Sequence, residues 1–520
     1  MNKKHPSLKW LAMIAVAAFV LGLLPFLFLS LHETGVAGFV AVIWRLVWRG
    51  LMVYAPHILT IYMIIVAALI FFEGRNPDRT VMWLLTLALL PVVGIVLYLL
   101  LGPDLKRFKM RRLFRPTKSY PSANSPHGRR TSVRVRKTTV LAFRNSSAEI
   151  MERGKLRMLI DGDETFTCIK KELAKARRYI NIEYFIFKDD RLGREIADIL
   201  EERASAGVKV RMMTDGVGSW KLGRRLVKEL QDSGVDFRTF MPVSFPFFRS
   251  RLNFRNHRKI IIIDGDAAFT GGLNVGAEYL GEGPLGHWRD THALFRGDSV
   301  KAFNAIFLED WRIASGRRLS PDSAEFAASD PTEAESMPFL PMQIVPGGSS
   351  TAWRSIQQMY FLLIAEAQKR IWITTPYLAP DSIILEALQA SALAGVDVRI
   401  LIPYKSDHFM AYWAGRSNIE ELLRAGARIW MYKKGFIHAK TLLMDNLIAS
   451  LGTANLDNRS LEINFEVQAF IYDEQACASL ERQFASDLKD SEECFLSKWE
   501  RRGIVSKVME SMGRLWSSQI

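Results

Sequence analysis

Apolar runs distinguish the start of the chain from the rest. Three of them lie near residues 10–31, 52–72 and 81–101, and each is about as long as the roughly 20 residues that a membrane-spanning helix needs. The runs lack the polar face that a helix packed on a soluble core would show. We therefore expect N-terminal transmembrane helices, with residues 1–104 forming a membrane anchor.

From about residue 146 the pattern changes to short β-branched strands that alternate with amphipathic helices. The stretches EERASAGVKVRMMTD and LQASALAGVDVRILIP correspond almost element by element, which indicates a duplicated βαβ unit. We predict an α/β fold with two repeats, 146–320 and 336–496, each a mixed β-sheet flanked by helices. Two such repeats are expected to pack about a pseudo-twofold axis, with equivalent residues face to face.

The end of the chain, residues 497–520, has the pattern of an amphipathic helix. Its apolar side chains recur at helical spacing: Ile504, Val505, Val508, Met509, Met512, Leu515 and Trp516. Such a stripe fits a helix that lies in a membrane interface, and it also fits a helix packed on the body of the protein.

Charge is distributed unevenly along the chain. There are 69 Lys and Arg against 54 Asp and Glu, a net charge of +15. Residues 105–138 hold twelve basic residues and no acidic one, while residues 139–520 are formally neutral. A nucleic-acid enzyme usually has its positive charge on the folded domain that contacts phosphates. The distribution therefore argues against a nucleic-acid partner and favours anionic membrane lipids.

The basic segment also suggests a location. We interpret residues 105–145 as a flexible basic linker that lies on anionic lipid, with an ordinary solvated linker as the alternative. By the positive-inside rule the segment places the catalytic region on the cytoplasmic side of a multi-pass cell-membrane protein. Lys3, Lys4 and Lys9 require the same side for the N-terminus, which three spans cannot satisfy.

Each predicted repeat contains one copy of the motif H-x-K-x4-D-x6-G-x-x-N. The first copy contains His257, Lys259, Asp264 and Asn274, and the second contains His438, Lys440, Asp445 and Asn455. Two matches, one in each structural repeat, make coincidence negligible. Histidine and lysine two residues apart on a strand point to the same face. The glycine turns that follow can offer hydrogen-bond donors to phosphate oxygens.

The two motifs together supply two histidines, two lysines and two asparagines. This set suits the cleavage of a phosphodiester. One histidine attacks the phosphorus, the other donates a proton to the leaving oxygen, and the cations stabilise the negative charge. The three cysteines form no CxxC pair, so neither a disulfide framework nor a cysteine zinc site is expected.

The duplicated motif resembles the HKD signature of the phospholipase D superfamily, and the resemblance covers about residues 146–490. Stretches such as NIEYFIF, TGGLNVGAEYLG and TTPYLAPD are similar to those of bacterial cardiolipin synthases. The resemblance implies transfer of a phosphatidyl group from one phosphatidylglycerol, the donor, to another, the acceptor. It implies a phosphatidyl-histidine intermediate, release of glycerol, and no metal or nucleotide cofactor.

Other acceptors would give the same site a different activity. Water would make the enzyme a phospholipase D, and another alcohol would make it a different phosphatidyltransferase. A membrane-anchored nuclease is a further alternative, because the superfamily also cleaves DNA. The sequence gives no prediction of the oligomeric state.

The resemblance also implies roles for individual residues. In the superfamily a downstream carboxylate orients each catalytic histidine, and the matching positions here are Asp290 and Glu466. The first-motif histidine is more often the nucleophile, which assigns attack to His257 and proton transfer to His438. Substrate phosphate is expected to bind a set of three side chains: Asn274, Asn455 and Thr453.

The glycine turns and the aspartates of the two motifs differ from the other motif residues in their expected roles. The family often has Gly-Ser where this chain has Gly271-Gly272 and Gly452-Thr453, so the first repeat lacks a hydroxyl. Asp264 and Asp445 belong to the catalytic motif, but an aspartate after a buried strand more often caps a turn. A scaffold role is therefore favoured for both aspartates.

Overall fold

The computed structural model describes scattered residues between 44 and 68, residues 77–90 and 94, and residues 133–242, 254–329, 336–348 and 351–517. The chain divides into two compact units, Met1–Pro103 and Asp104–Ile520. Each unit is described separately below.

The first unit corrects the prediction of N-terminal transmembrane helices. Among its described residues, helix α1 spans Pro77–Leu89, which is 13 residues. At 1.5 Å per residue, such a helix is about 20 Å long, against a hydrocarbon core of about 30 Å. No helix in the described part of the chain is long and apolar enough to cross a bilayer. The run near 10–31 lies outside the described residues.

The physical reason is that an apolar run is not necessarily one continuous helix. The predicted run near 81–101 contains Pro91, and α1 ends at Leu89, just before it. Proline disfavours helical backbone in the residue that precedes it and removes a hydrogen-bond donor. Hydropathy reported the apolar character of the segment correctly, and the described helix covers only the first part of it.

The second unit is built on strands from both repeats. The first repeat contributes β1 (Met151–Ile160), β2 (Tyr179–Tyr184), β3 (Lys209–Asp215), β4 (Asp236–Phe240), β5 (Ile260–Ile263), β6 (Ala267–Gly271), β7 (His287–Arg289) and β8 (Thr291–Gly297). The second contributes β9 (Phe339–Gly347), β10 (Arg370–Thr374), β11 (Leu378–Ala379), β12 (Asp397–Pro403), β13 (Arg428–Tyr432), β14 (Gly435–Ile437), β15 (Thr441–Met444), β16 (Ile448–Gly452), β17 (Leu456–Asp457), β18 (Glu466–Ile471) and β19 (Ser491–Cys494).

Fifteen of these strands form one mixed sheet, in the order β4-β3-β2-β5-β6-β8-β1-β9-β18-β16-β15-β10-β12-β13-β19. The order is the same from either side of the β1–β9 junction, apart from the added β19. Strands β1 and β9 are antiparallel there, with Met151 opposite Met342. The prediction of an α/β fold with two packed repeats is therefore confirmed.

Helices cover the sheet. In the first repeat they are α2 (Val133–Ser146), α3 (Asp161–Leu173), α4 (Arg191–Ser205), α5 (Arg224–Asp232) and α6 (Ser299–Ser315). In the second they are α7 (Ser355–Glu366), α8 (Ser382–Leu393), α9 (Phe409–Arg416), α10 (Ile419–Arg424), α11 (Asn458–Glu462), α12 (Glu474–Lys489), α13 (Leu496–Glu500) and α14 (Ile504–Trp516). Central strands such as β5, with the sequence IIII, are buried throughout and so are apolar on both faces.

The apolar core joins the repeats. One cluster of buried residues lies mainly in the first repeat, and another lies mainly in the second but includes Val135 and Ala142 of α2. A third takes residues from both repeats, including Phe303 and Trp311 of the first and Phe465 and Val467 of the second. This shared cluster, together with the continuous sheet, fixes the relative position of the two motifs.

The ends of the unit differ from the sequence predictions. Residues 133–145 of the predicted linker belong to helix α2. The Asn145 amide donates to the Ser355 carbonyl at 3.3 Å, and the Gln343 amide donates to the Thr139 carbonyl at 3.1 Å. Residues 105–132 lie outside the described part of the chain. Of the two alternatives for the tail, helix α14 packs on the body of the protein, against α9.

Candidate active site

The two motif histidines occupy equivalent places at the start of strands. His257 precedes β5 and His438 precedes β15, and both side chains are buried. The His257 amide donates to the Phe465 carbonyl at 2.9 Å, and the His438 amide donates to the Arg289 carbonyl at 2.7 Å. Each histidine is thus tied by its backbone to the other repeat, so the two motifs meet where the repeats join.

A carboxylate from the opposite repeat contacts each imidazole. His257 Nδ1 lies 2.9 Å from Glu466 Oε1, and His438 Nδ1 lies 2.8 Å from Asp290 Oδ2. A carboxylate on Nδ1 selects the tautomer and leaves Nε2 available for a reacting atom. The structure therefore brings together the four residues that the sequence singled out as histidines and orienting acids.

The two carboxylates differ in their support. The Thr453 hydroxyl donates to Glu466 Oε2 at 2.5 Å. The equivalent position in the first repeat is Gly272, where a Cβ atom would collide with the Asp290 carboxylate. The missing hydroxyl noted in the sequence is thus a requirement of packing, because the acid itself fills that space.

The pKa values of the two acids move in opposite directions. Burial raises the pKa of Asp290 to about 6, and Lys440 only partly offsets it. Burial also acts to raise the pKa of Glu466, but His257, Lys259 and Thr453 outweigh it, so this pKa lies below its usual value. Glu466 is therefore the more firmly ionised partner at neutral pH.

Both motif lysines are buried beside the histidines. Lys259 Nζ donates to the His257 carbonyl at 2.7 Å, and Lys440 Nζ donates to the His438 carbonyl. Burial lowers the pKa of Lys259 to about 7 and that of Lys440 to about 8. Because burial destabilises the protonated form of both lysines, the site favours an anionic ligand, whose charge would raise both pKa values again.

The imidazoles are affected in the same way. Burial, assisted by Lys259 and Lys440, lowers the pKa of His257 to about 4. Burial and Lys440 hold the pKa of His438 well below its usual value, and Lys259 and His257 of the other repeat add to this. The four groups thus form one electrostatic unit, in which a bound phosphate would favour protonation of a histidine.

The motif aspartates lie at the far end of the same strands. The Asp264 carboxylate accepts backbone N–H groups of Arg177, Arg178 and Tyr179, each at 2.8 Å. Asp445 does the same for Gln368, Lys369 and Arg370, at 2.8 to 3.3 Å. Strands β5 and β15 separate the aspartates from the histidines. These contacts support the scaffold role that the sequence favours for Asp264 and Asp445, since both secure the starts of neighbouring strands.

The residues predicted to bind phosphate have protein partners. Asn274 accepts from the Ile186 amide at 3.2 Å and donates to the Tyr279 hydroxyl at 2.7 Å. Asn455 hydrogen-bonds Asp457, and its buried Oδ1 has no partner among the described residues. The Thr453 side chain is fully buried against Glu466. The hydroxyl of Thr453 thus supports an acid, and its binding of substrate phosphate stays a prediction.

Aromatic side chains that the sequence analysis did not assign to the site enclose the histidines. The Phe185 ring lies 4.9 Å from the His257 ring, and the Trp288 and Tyr279 rings lie 5.5 and 6.3 Å from the His438 ring. Trp288 and Tyr279 occur in stretches that carry the family resemblance. A single sequence does not show, however, that they face the histidine of the other repeat.

The surroundings of the two histidines are chemically different. On the His438 side, the Tyr377 hydroxyl donates to Asp407 Oδ1 at 2.7 Å. The negative charge of Asp407 partly offsets the lowering of the pKa of His438 and of Lys440. The His257 side has Phe185 and also the buried ion pair of Arg255 and Asp215. Both sides of the site therefore contain aromatic and polar side chains, and the hydroxyl–carboxylate pair of Tyr377 and Asp407 belongs to the His438 side.

The mirrored sheet and the paired histidines define an enzyme of the phospholipase D type. A family model described as cardiolipin synthase, PLD-like domain, matches residues 169–311 and 360–488. A second model, described as phospholipase D-nuclease N-terminal, matches residues 58–103. The crystal structure of phosphatidylserine synthase from Haemophilus influenzae has a TM-score of 0.56 at 14% identity, covering 74% of this chain and 100% of that one. That likeness concerns the fold alone.

Sequence relatives identify the family within the phospholipase D superfamily. Cardiolipin synthase 2 of Bacillus anthracis is 41% identical over 467 residues, 88% of this chain and 90% of that protein. Cardiolipin synthase of Halalkalibacterium halodurans is 38% identical over 502 residues, 94% of this chain and 98% of that protein. The chain belongs to the bacterial cardiolipin synthases of the phospholipase D superfamily, and it is a phosphatidyltransferase. The resemblance stated from the sequence is confirmed.

Proposed function

We propose that the enzyme joins two phosphatidylglycerol molecules into cardiolipin and glycerol through a phosphatidyl-histidine. One observation carries the proposal, namely that His257 and His438 are each held by a carboxylate of the opposite repeat. Two oriented imidazoles and two buried lysines supply a nucleophile, a proton donor and charge stabilisation for a phosphodiester. Membrane association accords with this family, and the basic run at 105–138 favours contact with anionic lipid.

The geometry favours His257 as the nucleophile. Its partner Glu466 has the lower pKa and stabilises positive charge on the ring as the N–P bond forms. On the His438 side of the site, Tyr377 and Asp407 can hydrogen-bond glycerol hydroxyls. This side suits the headgroup that leaves and the headgroup hydroxyl that later arrives.

The reaction then has two balanced steps. His257 Nε2 attacks the phosphorus of the donor lipid, the bond from phosphorus to the glycerol headgroup oxygen breaks, and protonated His438 gives its proton to that oxygen. In the second step His438 takes the proton from the headgroup hydroxyl of the acceptor. The acceptor oxygen bonds to phosphorus, the N–P bond breaks, and His257 is regenerated.

Two buried lysines stabilise the phosphate charge in both steps. Lys259 and Lys440 lie on either side of the repeat junction, and the negative charge of a phosphodiester favours their ammonium forms. Anionic membrane lipids are the partners in this proposal, and nucleic acid is not. Water as acceptor would yield phosphatidic acid from the same intermediate.

A lipid-product assay tests the proposal. The full chain in vesicles receives phosphatidylglycerol as the only lipid, with and without chelator, and mass spectrometry follows cardiolipin, glycerol and phosphatidic acid. We expect cardiolipin and glycerol in equal amounts, insensitive to chelator, and their loss in His257→Ala and His438→Ala. Phosphatidic acid with glycerol but no cardiolipin would show that water is the acceptor. A phosphatidyl adduct on His438 instead of His257 would reverse the assigned roles.

A further inference from the structure

Helix α14 is packed with its amphipathic pattern reversed. Its buried positions are the charged Glu510 and the small Gly513. Five of its apolar side chains point to solvent, and their exposed fractions are 77% for Ile504, 72% for Val505, 52% for Val508, 52% for Met512 and 79% for Leu515. A helix that packs on a soluble body normally buries its apolar side. The exposed stripe therefore needs an apolar environment that the described residues do not supply.

The contacts of α14 hold it in this orientation. Glu510 accepts hydrogen bonds from Arg416 at 3.3 Å and Arg502 at 2.7 Å. A Cβ atom at Gly513 would clash with the backbone of Trp413, so the helix approaches α9 closely along its small side. Turning the apolar stripe inward would break the two ion pairs and place bulky side chains at this contact. The outward stripe is therefore a built feature of the fold.

An exposed aromatic side chain lies on the His438 side of the site. Phe409, 66% exposed, begins α9 two residues after Asp407, which accepts from Tyr377. Helix α9 packs against α14, so the Phe409 ring and the exposed stripe belong to neighbouring helices. We call Phe409 and the exposed stripe of α14 the docking face.

Cations flank the docking face. Arg501 and Lys507 are exposed near the start of α14 without an acidic partner among the described residues. An aromatic ring, aliphatic side chains and cations are the combination that proteins present to the headgroup region of a bilayer. Anionic headgroups would pair with these cations while the apolar stripe enters the interface.

We infer that the docking face binds the surface of an anionic phospholipid bilayer and so presents the active-site entrance to lipid. The inference goes beyond the proposed chemistry, because it concerns where the membrane contacts the catalytic unit. It rests on the proposed function only in taking phospholipid as the substrate class. Contact with lipid can be measured without turnover, so the two proposals can fail separately.

Photocrosslinking in the full chain tests the docking face. Val508 or Leu515 is replaced by p-benzoylphenylalanine, the protein is reconstituted into phosphatidylglycerol vesicles and irradiated, and lipid adducts are measured by mass spectrometry. Leu393 provides the matched control, because it is 74% exposed and ends α8 at the opposite edge of the sheet. We expect lipid adducts at positions 508 and 515 to exceed those at 393 about tenfold.

Three results would overturn the inference. Equal yields at the docking face and at Leu393 would mean that lipid contact is not selective. Crosslinks between two protein chains at 508 or 515 would make a second copy the occupant. Equal yields in vesicles of zwitterionic phosphatidylcholine would remove the role of Arg501 and Lys507. The His257→Ala variant is expected to give the same adducts as the parent, and this outcome would hold even if the proposed chemistry were wrong.

Discussion

At the scale of single residues, the two histidine–carboxylate pairs are not equivalent, and the Thr453 hydroxyl is one cause. Its hydroxyl donates to Glu466 and also accepts from the Val467 amide at 3.0 Å. In Thr453→Val both hydrogen bonds are lost while the shape is kept. The pKa of Glu466 should rise, because a hydrogen bond to its charged form disappears. Glu466 would then gain its proton at a higher pH as the pH falls.

We therefore expect Thr453→Val to lower kcat about tenfold at neutral pH and to shift the acid limb of the pH–rate profile upward. Thr165→Val is the matched control, since the Thr165 hydroxyl is buried without a partner among the described residues and lies in α3, away from the histidines. An unchanged acid limb in Thr453→Val would show that this hydroxyl does not tune Glu466.

The lysines lead to a prediction for the alkaline side. Because the pKa of Lys259 is lowered to about 7, the free enzyme loses this ammonium charge as the pH rises through that value. Binding of an anionic phosphodiester needs the charge, so KM for phosphatidylglycerol should increase above about pH 7. A bound phosphate raises the lysine pKa, so kcat should fall at a higher pH than kcat/KM does.

Measurement of both constants from pH 6 to 10 checks this expectation. Lys259→Met should raise KM at every pH and remove the alkaline rise, whereas the exposed Lys209→Met should behave like the parent enzyme. An alkaline rise in KM that persists in Lys259→Met would assign the titration to another group, with Lys440 as the next choice.

At the scale of elements, the motif spacing predicted local structure as well as chemistry. It placed the histidine and lysine before a buried strand and the aspartate after it, as in β5 and β15. It did not show that Asp290 orients the histidine of the other repeat, because that contact joins residues 148 positions apart. Hydropathy is a separate signal, and it predicts a spanning helix from the apolar run near 81–101, whereas the described helix α1 ends at Leu89, before Pro91.

We expect Asp264 and Asp445, which follow β5 and β15, to affect the stability of the fold and not the catalytic reaction. Asp264→Asn keeps one acceptor oxygen but loses part of the set of three backbone N–H hydrogen bonds at the start of β2. We expect the free energy of unfolding to fall by about 1–3 kcal/mol, with KM and kcat per folded molecule within about twofold of the parent. Thermal unfolding and active-site titration measure the two effects. A large drop in kcat without a loss of stability would return Asp264 to the catalytic group.

At the scale of the whole molecule, the site belongs to neither repeat alone. Each histidine depends on an acid of the other repeat, and strands β1 and β9 make the sheet continuous across the junction. Neither repeat contains a complete histidine–carboxylate pair. Activity should therefore depend on the association of the repeats and not on the covalent connection between them.

A protease site inserted between Asp330 and Glu333, in the segment that joins the two repeats, tests this dependence. After cleavage of the full chain we expect most of the transferase activity to remain, because the shared apolar cluster and the β1–β9 pairing still hold the repeats together. Separation in denaturant should abolish activity in each fragment, and refolding them together should restore it. Activity in either isolated fragment would require a second copy to supply the missing acid, and sedimentation of that fragment as a monomer would then contradict the cross-repeat arrangement.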